Sequence, residues 1–422
     1  MKIVIISDPH IGDYSYGRTD SATGLNTRLL DFLKNLDQSV DFAIERRADA
    51  FVIVGDIYRQ KHPSSKIRKQ FVPRIKRLIK KKIRVILMTG NHDMTTSADG
   101  AHALSEMQEL CELVAGLEVY SSPVVLKLND DLVDVEKDDG GKLHSVLKPT
   151  CNTELYILPF VNRGAEKLLT VQDFLTFQKN KIDEFNKLTC KSKAEYKLFF
   201  GHFGTDKSVI GNSFDLDMSV DENENKITLP SFDAGKWTKI YLGHIHQQQE
   251  FNSVSRHVGS IGRVDFAEEK EQKGFYYFCD GNDEFVPIGD REFRTFRLKL
   301  NEDDCKQKLS TFFEKVKKWD LRQAIVRVKV DVLQTYLPTL KFTDLENWLR
   351  ENTWHSLGVD INIIADETIN DDAGKITTAD LPIEALKKHI ERHPDRFKGI
   401  EEKAMAVGRE ILEKVHESAS AN

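Results

Sequence analysis

Asp8-Pro9-His10, Gly55-Asp56, Gly90-Asn91-His92-Asp93, Gly201-His202 and Gly243-His244-Ile245-His246 are the clusters of this chain that could do chemistry together. Each closely follows an apolar run that reads as a strand, and four of the five carry a glycine, which lets the backbone turn tightly where side chains crowd. Alone, each is weak: a single Asp-x-His after a strand is more often a cap or turn, and a lone His202 reads as an ordinary partly buried histidine. Together they offer three carboxylates, one amide and five imidazoles, with no thiolate. Nitrogen and oxygen donors of this kind suit Mn²⁺, Fe²⁺ or Zn²⁺ better than a structural zinc cage.

The elements that must position these groups follow from hydrophobic period. Ile3–Ser7 reads as a strand, Asn26–Arg46 as a helix, Phe51–Val54 as a strand, Ser65–Lys82 as a helix and Val85–Met88 as a strand. A β-α-β-α-β order implies parallel pairing with helices covering the sheet, and ligands gather at the carboxyl ends of such strands. Short strands are expected from Val124 to Pro159, with a turn at Asp138-Asp139-Gly140-Gly141. A helix over about Val171–Leu188, strands Tyr196–Phe200 and Lys239–Leu242, a polar insert near Asp215–Lys226 and short strands to Ile288 complete this part.

Near Arg291 the character changes. Arg294–Leu300, Ile325–Asp331 and Leu357–Ile364 read as strands, and Glu302–Trp319 and Thr343–Asn352 as helices. Asp366–Asp380, rich in Asp, Thr and Gly, reads as a linker, and Pro382–Arg392 and Gly399–Glu417 as two helices.

The ordered set D-x-H, G-D, G-N-H-D, G-H, G-H-x-H resembles the calcineurin-like metallophosphoesterase superfamily. The resemblance implies an α/β fold: a four-layer α/β/β/α metallophosphoesterase core, here with a small α+β capping domain and a C-terminal helical tail. It places one metal on Asp8, His10, Asp56 and His246, and a second on Asp56, Asn91, His202 and His244, with Asp56 bridging. His92 matches the family's catalytic histidine. With that ligand set, two divalent ions, two carboxylates and a bridging hydroxide leave about one positive charge, which attracts phosphate and favours a more negative transition state. Asp93 is either an acceptor that orients a site histidine or a local turn cap.

The segment His257-Val258-Gly259-Ser260-Ile261-Gly262-Arg263-Val264-Asp265-Phe266, followed by Glu268 and Lys273-Gly274-Phe275, resembles the G-S-x-x-R-x-x-F-x-E … K-G-[FV] signature of the SbcD nuclease family. Read without the family it is a turn and a β-hairpin. The SbcD resemblance implies a nuclease domain over 1–290, a DNA-contacting capping domain over 291–365, a linker over 366–380 and an ATPase-docking tail over 381–422. One position departs from the pattern: Arg59 stands where family members often carry His or Asp, with His62 nearby, so Arg59 and His62 are candidates for contact with substrate or site.

Composition bounds what remains. A chain of 422 residues exceeds one ordinary domain, and 40% apolar with 30% charged residues is a globular balance. The net charge of −6 argues against coating nucleic acid by bulk charge, so DNA contact must come from local patches or metal. Lys66 to Arg84 holds ten Lys/Arg and no acid, on a helical stripe of Ile67, Phe71, Ile75 and Leu78 that Pro73 should bend or interrupt. Lys66, Arg68, Lys69 and Arg263 are the candidate DNA contacts; a core helix with a solvated basic face is the plainer reading. Five cysteines without a C-x-x-C pair, and no run of membrane-spanning length, read as a cytoplasmic protein with no membrane attachment.

The expectation is therefore a dinuclear-metal DNA nuclease of 3'-5' exonuclease and endonuclease type. It would use two Mn²⁺ (Mg²⁺, Fe²⁺ or Zn²⁺ being possible), form a homodimer and act in DNA repair, recombination or replication. The tail stripe Ile400, Ala404, Val407, Ile411 and Val415 would dock on an SbcC-type coiled-coil ATPase, as the resemblance implies, the plainer reading being that it folds back on the capping unit. With no G-x-x-x-x-G-K-[ST] present, any ATP dependence must come from a partner. Rival readings are a metallophosphoesterase for a small phosphomonoester or cyclic nucleotide, and a non-catalytic scaffold with no physical need for seven polar ligands.

Overall fold

The computed structural model describes residues 1–12, 14–95, 99–128, 135–137, 143–145, 152–164, 166–168, 170–209, 227–300, 304–364, 386–387, 389–390, 399–400 and 402–409. In order the elements are β1 (Lys2–Ile6), α1 (Thr27–Arg46), β2 (Ala50–Val54), α2 (Ser65–Lys80), β3 (Arg84–Met88), α3 (Ser105–Leu110), β4 (Leu117–Tyr120) and β5 (Val124–Leu128). There follow β6 (Val135–Lys137), β7 (Leu143–Ser145), β8 (Thr153–Leu158), α4 (Val171–Lys191), β9 (Tyr196–His202), β10 (Lys239–Gly243), β11 (Gln249–Glu250) and β12 (Ser255–His257). The last are β13 (Gly274–Cys279), β14 (Asn282–Pro287), β15 (Glu292–Leu300), α5 (Cys305–Val316), β16 (Ala324–Leu333), α6 (Thr343–Asn352) and β17 (His355–Ile364).

Strand alternation builds the layers. In β1, β2 and β3 the residues Val4, Ile6, Phe51, Ile53, Val85 and Leu87 face one core with Leu29, Leu36 and Val40 of α1 and Phe71 and Ile75 of α2. Their neighbours Ile3, Ile5, Val52, Val54, Ile86 and Met88 point the other way, into a core with Leu155, Ile157, Leu198, Phe200 and Tyr241. On the far side of β8–β10, Tyr156, Leu158, Phe199, Ile240 and Leu242 pack with Leu175, Ile182 and Phe185 of α4. Three cores separate four layers, α/β/β/α, because successive side chains of a strand alternate faces.

Both large sheets have six strands, in the orders β14-β13-β1-β2-β3-β4 and β11-β12-β10-β9-β8-β5. β1 to β4 run parallel, as do β8, β9, β10 and β12. Their carboxyl ends therefore release the chain on one side of each sheet. A third sheet has the order β15-β16-β17, and along β16 Val326, Val328, Val330 and Val332 are buried while Arg327, Lys329 and Asp331 are not. The chain divides into two compact units: Met1–Phe296 with Asp320–Arg327 and Asn347–Gly358, and Arg297–Trp319 with Val328–Glu346 and Val359–Asn422.

Local chemistry sets the helix ends. Asn26 caps α1 by accepting from the amides of Arg28 and Leu29, and Thr170 and Asp173 form a reciprocal capping box on α4. α2 is continuous through Pro73, so the helix is not interrupted there. Ile67, Phe71, Ile75 and Leu78 are all buried on its inner face, and this packing holds the helix where one backbone hydrogen bond is missing. α5 is shorter than Glu302–Trp319, because Asp304 sits in the left-handed region at its start. The turn at 138–141, the insert at 215–226 and the linker at 366–380 lie outside the described residues. Of the tail, 386–387, 389–390 and 402–409 are described, and these are helical. Among the described residues no helix is long and apolar enough to cross a membrane.

Candidate metal centre

Five chain crossings at the carboxyl ends of β1, β2, β3, β9 and β10 carry the five motifs to one place. The loops are tied to one another before any ligand is considered. The His10 amide donates to Asp56 O (3.0 Å), the His92 amide to Asp56 Oδ1 (2.9 Å) and the His244 amide to Asp8 Oδ1 (3.1 Å). Asp8, His10, Asp56 and His244 all adopt positive φ, between 40° and 80°. Such strain in non-glycine residues persists only where the surroundings over-determine it, typically at functional sites. Gly55, at φ +82°, must be glycine for space as well, since a Cβ there would strike His202 Nδ1.

The donor atoms converge in three groups: Asp8, His10 and His246; His10, Asp56 and His92; Asp56, His202 and His244, each within 4.8 Å. His10 Nε2 lies 2.9 Å from His246 Nε2, 3.9 Å from Asp8 Oδ1 and 3.6 Å from Asp56 Oδ2. His202 Nε2 lies 3.3 Å from Asp56 Oδ2 and 3.1 Å from Asn91 Oδ1, which is also 3.0 Å from His244 Nδ1. Donors bonded to one ion at about 2.0–2.2 Å stand roughly 3–3.5 Å apart. The separations fit two adjoining divalent ions that share Asp56, and the donor set is the oxygen and nitrogen mixture such ions take.

Electrostatics prepares these groups. Burial works against charge on Asp56, yet His202 and His92 beside it hold its carboxyl well below the usual range. Burial also opposes charge on His202, but Asp56, Asp8 and the Val54 carbonyl outweigh it and push the pKa up to about 9. Burial drives His244 down to about 3, helped by His202, and holds His10 well below its ordinary value. Burial raises Asp8, with Asp56 adding to the effect. Burial thus favours the neutral form of His10 and His244, while the neighbouring carboxylates draw a proton toward His202. Asn91, His92 and His244 are half-buried and form the open side; Asp8, His10, Asp56, His202 and His246 are buried.

The remaining expected residues divide. His92 joins the cluster, its Nδ1 3.1 Å from Arg59 O and its ring edge-on to His10. Arg59 is beside it, with its guanidinium 4.2 Å over the Tyr14 ring. His62 is exposed and belongs to none of the three groups. Asp93 accepts from the amides of Ile57, Tyr58 and Gly90, so it ties the Asp56 loop to the Asn91 loop and is the turn cap of the two alternatives. Arg263, among the candidate DNA contacts, is engaged within the protein. Its guanidinium bonds Glu268 O, Glu271 O, Arg291 O and Asp290, which leaves little for a phosphate.

On α2 the arginines also turn to the protein: Arg68 pairs with Glu106, Arg74 with Asp37, and Arg77 with Asp37 and Asp41. Lys66 bonds Gly24 O at the surface, and Lys66, Lys69, Lys76, Lys80, Lys81 and Lys82 are exposed. The sequence reading gave three supporting residues no role at the site. Ser7 donates to Val54 O and holds Asp8, and Glu268 and Lys273 stand behind His246. The last two lie in the Gly259–Phe275 segment, where their match to the family signature was the signal.

This chain belongs to the calcineurin-like phosphoesterase family, whose model matches residues 1–248. Within that class it is similar to the DNA double-strand break repair protein Mre11 of Archaeoglobus fulgidus, 26% identical over 310 residues, 69% of this chain and 60% of that protein. It is also similar to the protein of the same name from Sulfurisphaera tokodaii, 25% identical over 211 residues, 48% of this chain and 49% of that one. The match therefore spans only about half to three-fifths of those relatives' lengths. Among solved structures, a dimetal phosphatase from Danio rerio aligns over 68% of this chain and 96% of its own, at 10% identity and a TM-score of 0.39.

Proposed function

We propose that this metallophosphoesterase is a DNA nuclease, cleaving phosphodiester bonds with two Mn²⁺ as the nuclease subunit of an SbcCD-like complex. The observation that carries the reading is the extent of the similarity to proteins named for double-strand break repair. It covers 69% of the chain, more than the phosphoesterase model does. The Gly259–Phe275 segment, which lies outside that model's span, adds to it.

Bound ions would be held by Asp8, His10, Asp56 and His246 on one side and Asp56, Asn91, His202 and His244 on the other. When bound, such ions would activate a water molecule as nucleophile and neutralise charge on the phosphate. The chain's own residues do the rest. Asp56 would serve both positions, and its bond to the His92 amide fixes the loops. His92, on the open side and steadied at Nδ1 by the Arg59 carbonyl, protonates the leaving oxygen. Arg59 stands close enough to the cluster to meet a backbone phosphate, and the exposed lysines of α2 follow the strand beyond it. The capping residues from Arg291 contact DNA, residues 381–422 bind the ATPase, and the chain pairs with a second copy in the cytoplasm.

The test is a cleavage assay on linear duplex and hairpin DNA, with Mn²⁺ and with Mg²⁺, each with and without an SbcC-type ATPase. End-dependent and hairpin cleavage with Mn²⁺ is expected. Turnover of small phosphomonoesters or cyclic nucleotides with no DNA cleavage under any of these conditions would replace the nuclease by the small-substrate esterase.

A further inference from the structure

Behind His246, on the side away from the other donors, the chain buries an ion pair. Glu268 and Lys273 are each 1% exposed. His246 Nδ1 lies 2.8 Å from Glu268 Oε1, and the other carboxylate oxygen, Oε2, takes Lys273 Nζ at 2.8 Å and the Val264 amide at 3.0 Å. Lys273 Nζ also reaches His246 O (3.1 Å), Ser260 Oγ (2.9 Å) and Glu271 Oε2 (2.7 Å).

An ionised carboxylate only accepts, so His246 must carry its proton on Nδ1 and present the lone pair of Nε2. That nitrogen is the one 2.9 Å from His10 Nε2, inside the donor group with Asp8. Lys273 in turn has no freedom: it grips both the carboxylate and the backbone carbonyl of the histidine that the carboxylate orients. Burying two charges is a poor route to stability, since desolvation offsets most of the attraction. A buried pair that ends on a donor histidine serves orientation better. Nδ1 of His202, in the other half of the centre, meets a neutral carbonyl instead, Val54 O at 2.8 Å. The two histidines are backed by groups of different charge.

We propose that Glu268, clamped by Lys273, is a positioning residue that fixes the tautomer and raises the donor strength of His246. It thereby sets the divalent-ion affinity of the Asp8–His10–His246 half of the centre. This rests on the dinuclear reading above. The Gly259–Phe275 segment then forms the floor of one ion position rather than a surface for DNA.

The experiment is a Mn²⁺ titration of the metal-free full-length chain, following bound ion by EPR, with His246→Ala and His244→Ala as references for the two halves. The wild type should bind two ions. Glu268→Gln should weaken one of them by roughly 10–100-fold, as loss of such a partner typically does, and leave the other within about twofold. The weakened ion should be the one lost in His246→Ala, and Glu268→Asp, which keeps the charge, should recover part of the affinity. If Glu268→Gln does not fold because Lys273 loses its partner, Glu268→Gln/Lys273→Met removes both buried charges and carries the same expectation. Two ions bound by the variant as tightly as by the wild type would overturn the inference. Equal weakening of both ions, with no recovery by Asp, would also overturn it, as that marks a purely structural role. A wild-type chain that binds fewer than two ions would overturn the dinuclear reading itself, and this inference with it.

Discussion

The sheet containing β1, β2 and β3 sends Asp8, His10, Asp56, Asn91 and His92 into the centre from three adjacent strand ends. The sheet containing β9 and β10 sends only His202, His244 and His246, from two. Both carboxylates come from the first sheet, and the second supplies imidazoles alone. Adjacent strands lie about 4.8 Å apart, so the first sheet by itself spreads its donors along an open row. The second sheet closes the row into cages, and it can do so only while the apolar core between the sheets holds them in register. Charge belongs to one layer and closure to the other.

Removing the shared charge should have the largest effect. Asp56→Ala takes one donor from both ion positions and the anchor from the His92 amide, so hydrolysis should be abolished and elemental analysis should find fewer than two ions per chain. Two tightly retained ions would contradict the sharing. Next comes His92→Gln, which spares every proposed donor of either sheet. It should keep both ions while phosphodiester cleavage falls by on the order of 10²–10⁴-fold. Asn91→Ala, one residue away, should instead lose one ion and regain activity with excess Mn²⁺. If added Mn²⁺ cured His92→Gln as well, His92 would be a ligand and the first sheet's share of the cage would grow.

The third test attacks the join. Phe200 is fully buried in the core between the sheets and lies two residues before His202. Phe200→Ala should cost about 3–5 kcal/mol in urea unfolding and weaken both ions together, because the two halves lose register. Unchanged ion affinity at that loss of stability would show that the loops position their donors without the sheets. The smallest effect is expected on the outer layer. Thr170→Ala removes one arm of the α4 capping box and should cost about 1 kcal/mol, with ion binding and cleavage unaltered.

Much of this was legible in the residues. The strands before the motifs were readable because apolar runs and their polar, glycine-bearing ends are local signals, and the ligand motifs sit at those ends. The alternation in β16 was equally plain. Other features depended on partners distant in the chain. Pro73 predicts a disturbed helix from its own geometry, but Phe71 and Ile75 pack into a core that carries α2 through it. Arg263 reads as a free cation until Asp290 and the carbonyls of Glu268, Glu271 and Arg291 are seen around it. Asp93 could have faced a histidine; its carboxylate meets the amides of Ile57 and Tyr58, 36 and 35 residues earlier.

By itself the sequence determined which residues can bind cations, which strands present them, and the α/β class, because residue type, period and turn chemistry act within a few positions. Only the tertiary structure decided how closely the donors converge and which charged side chains pair within the protein. It alone brought Glu268 to His246, 22 residues away. Hydrogen bonds and ion pairs are short-ranged and directional, so their partners are chosen by where the packed sheets leave each side chain.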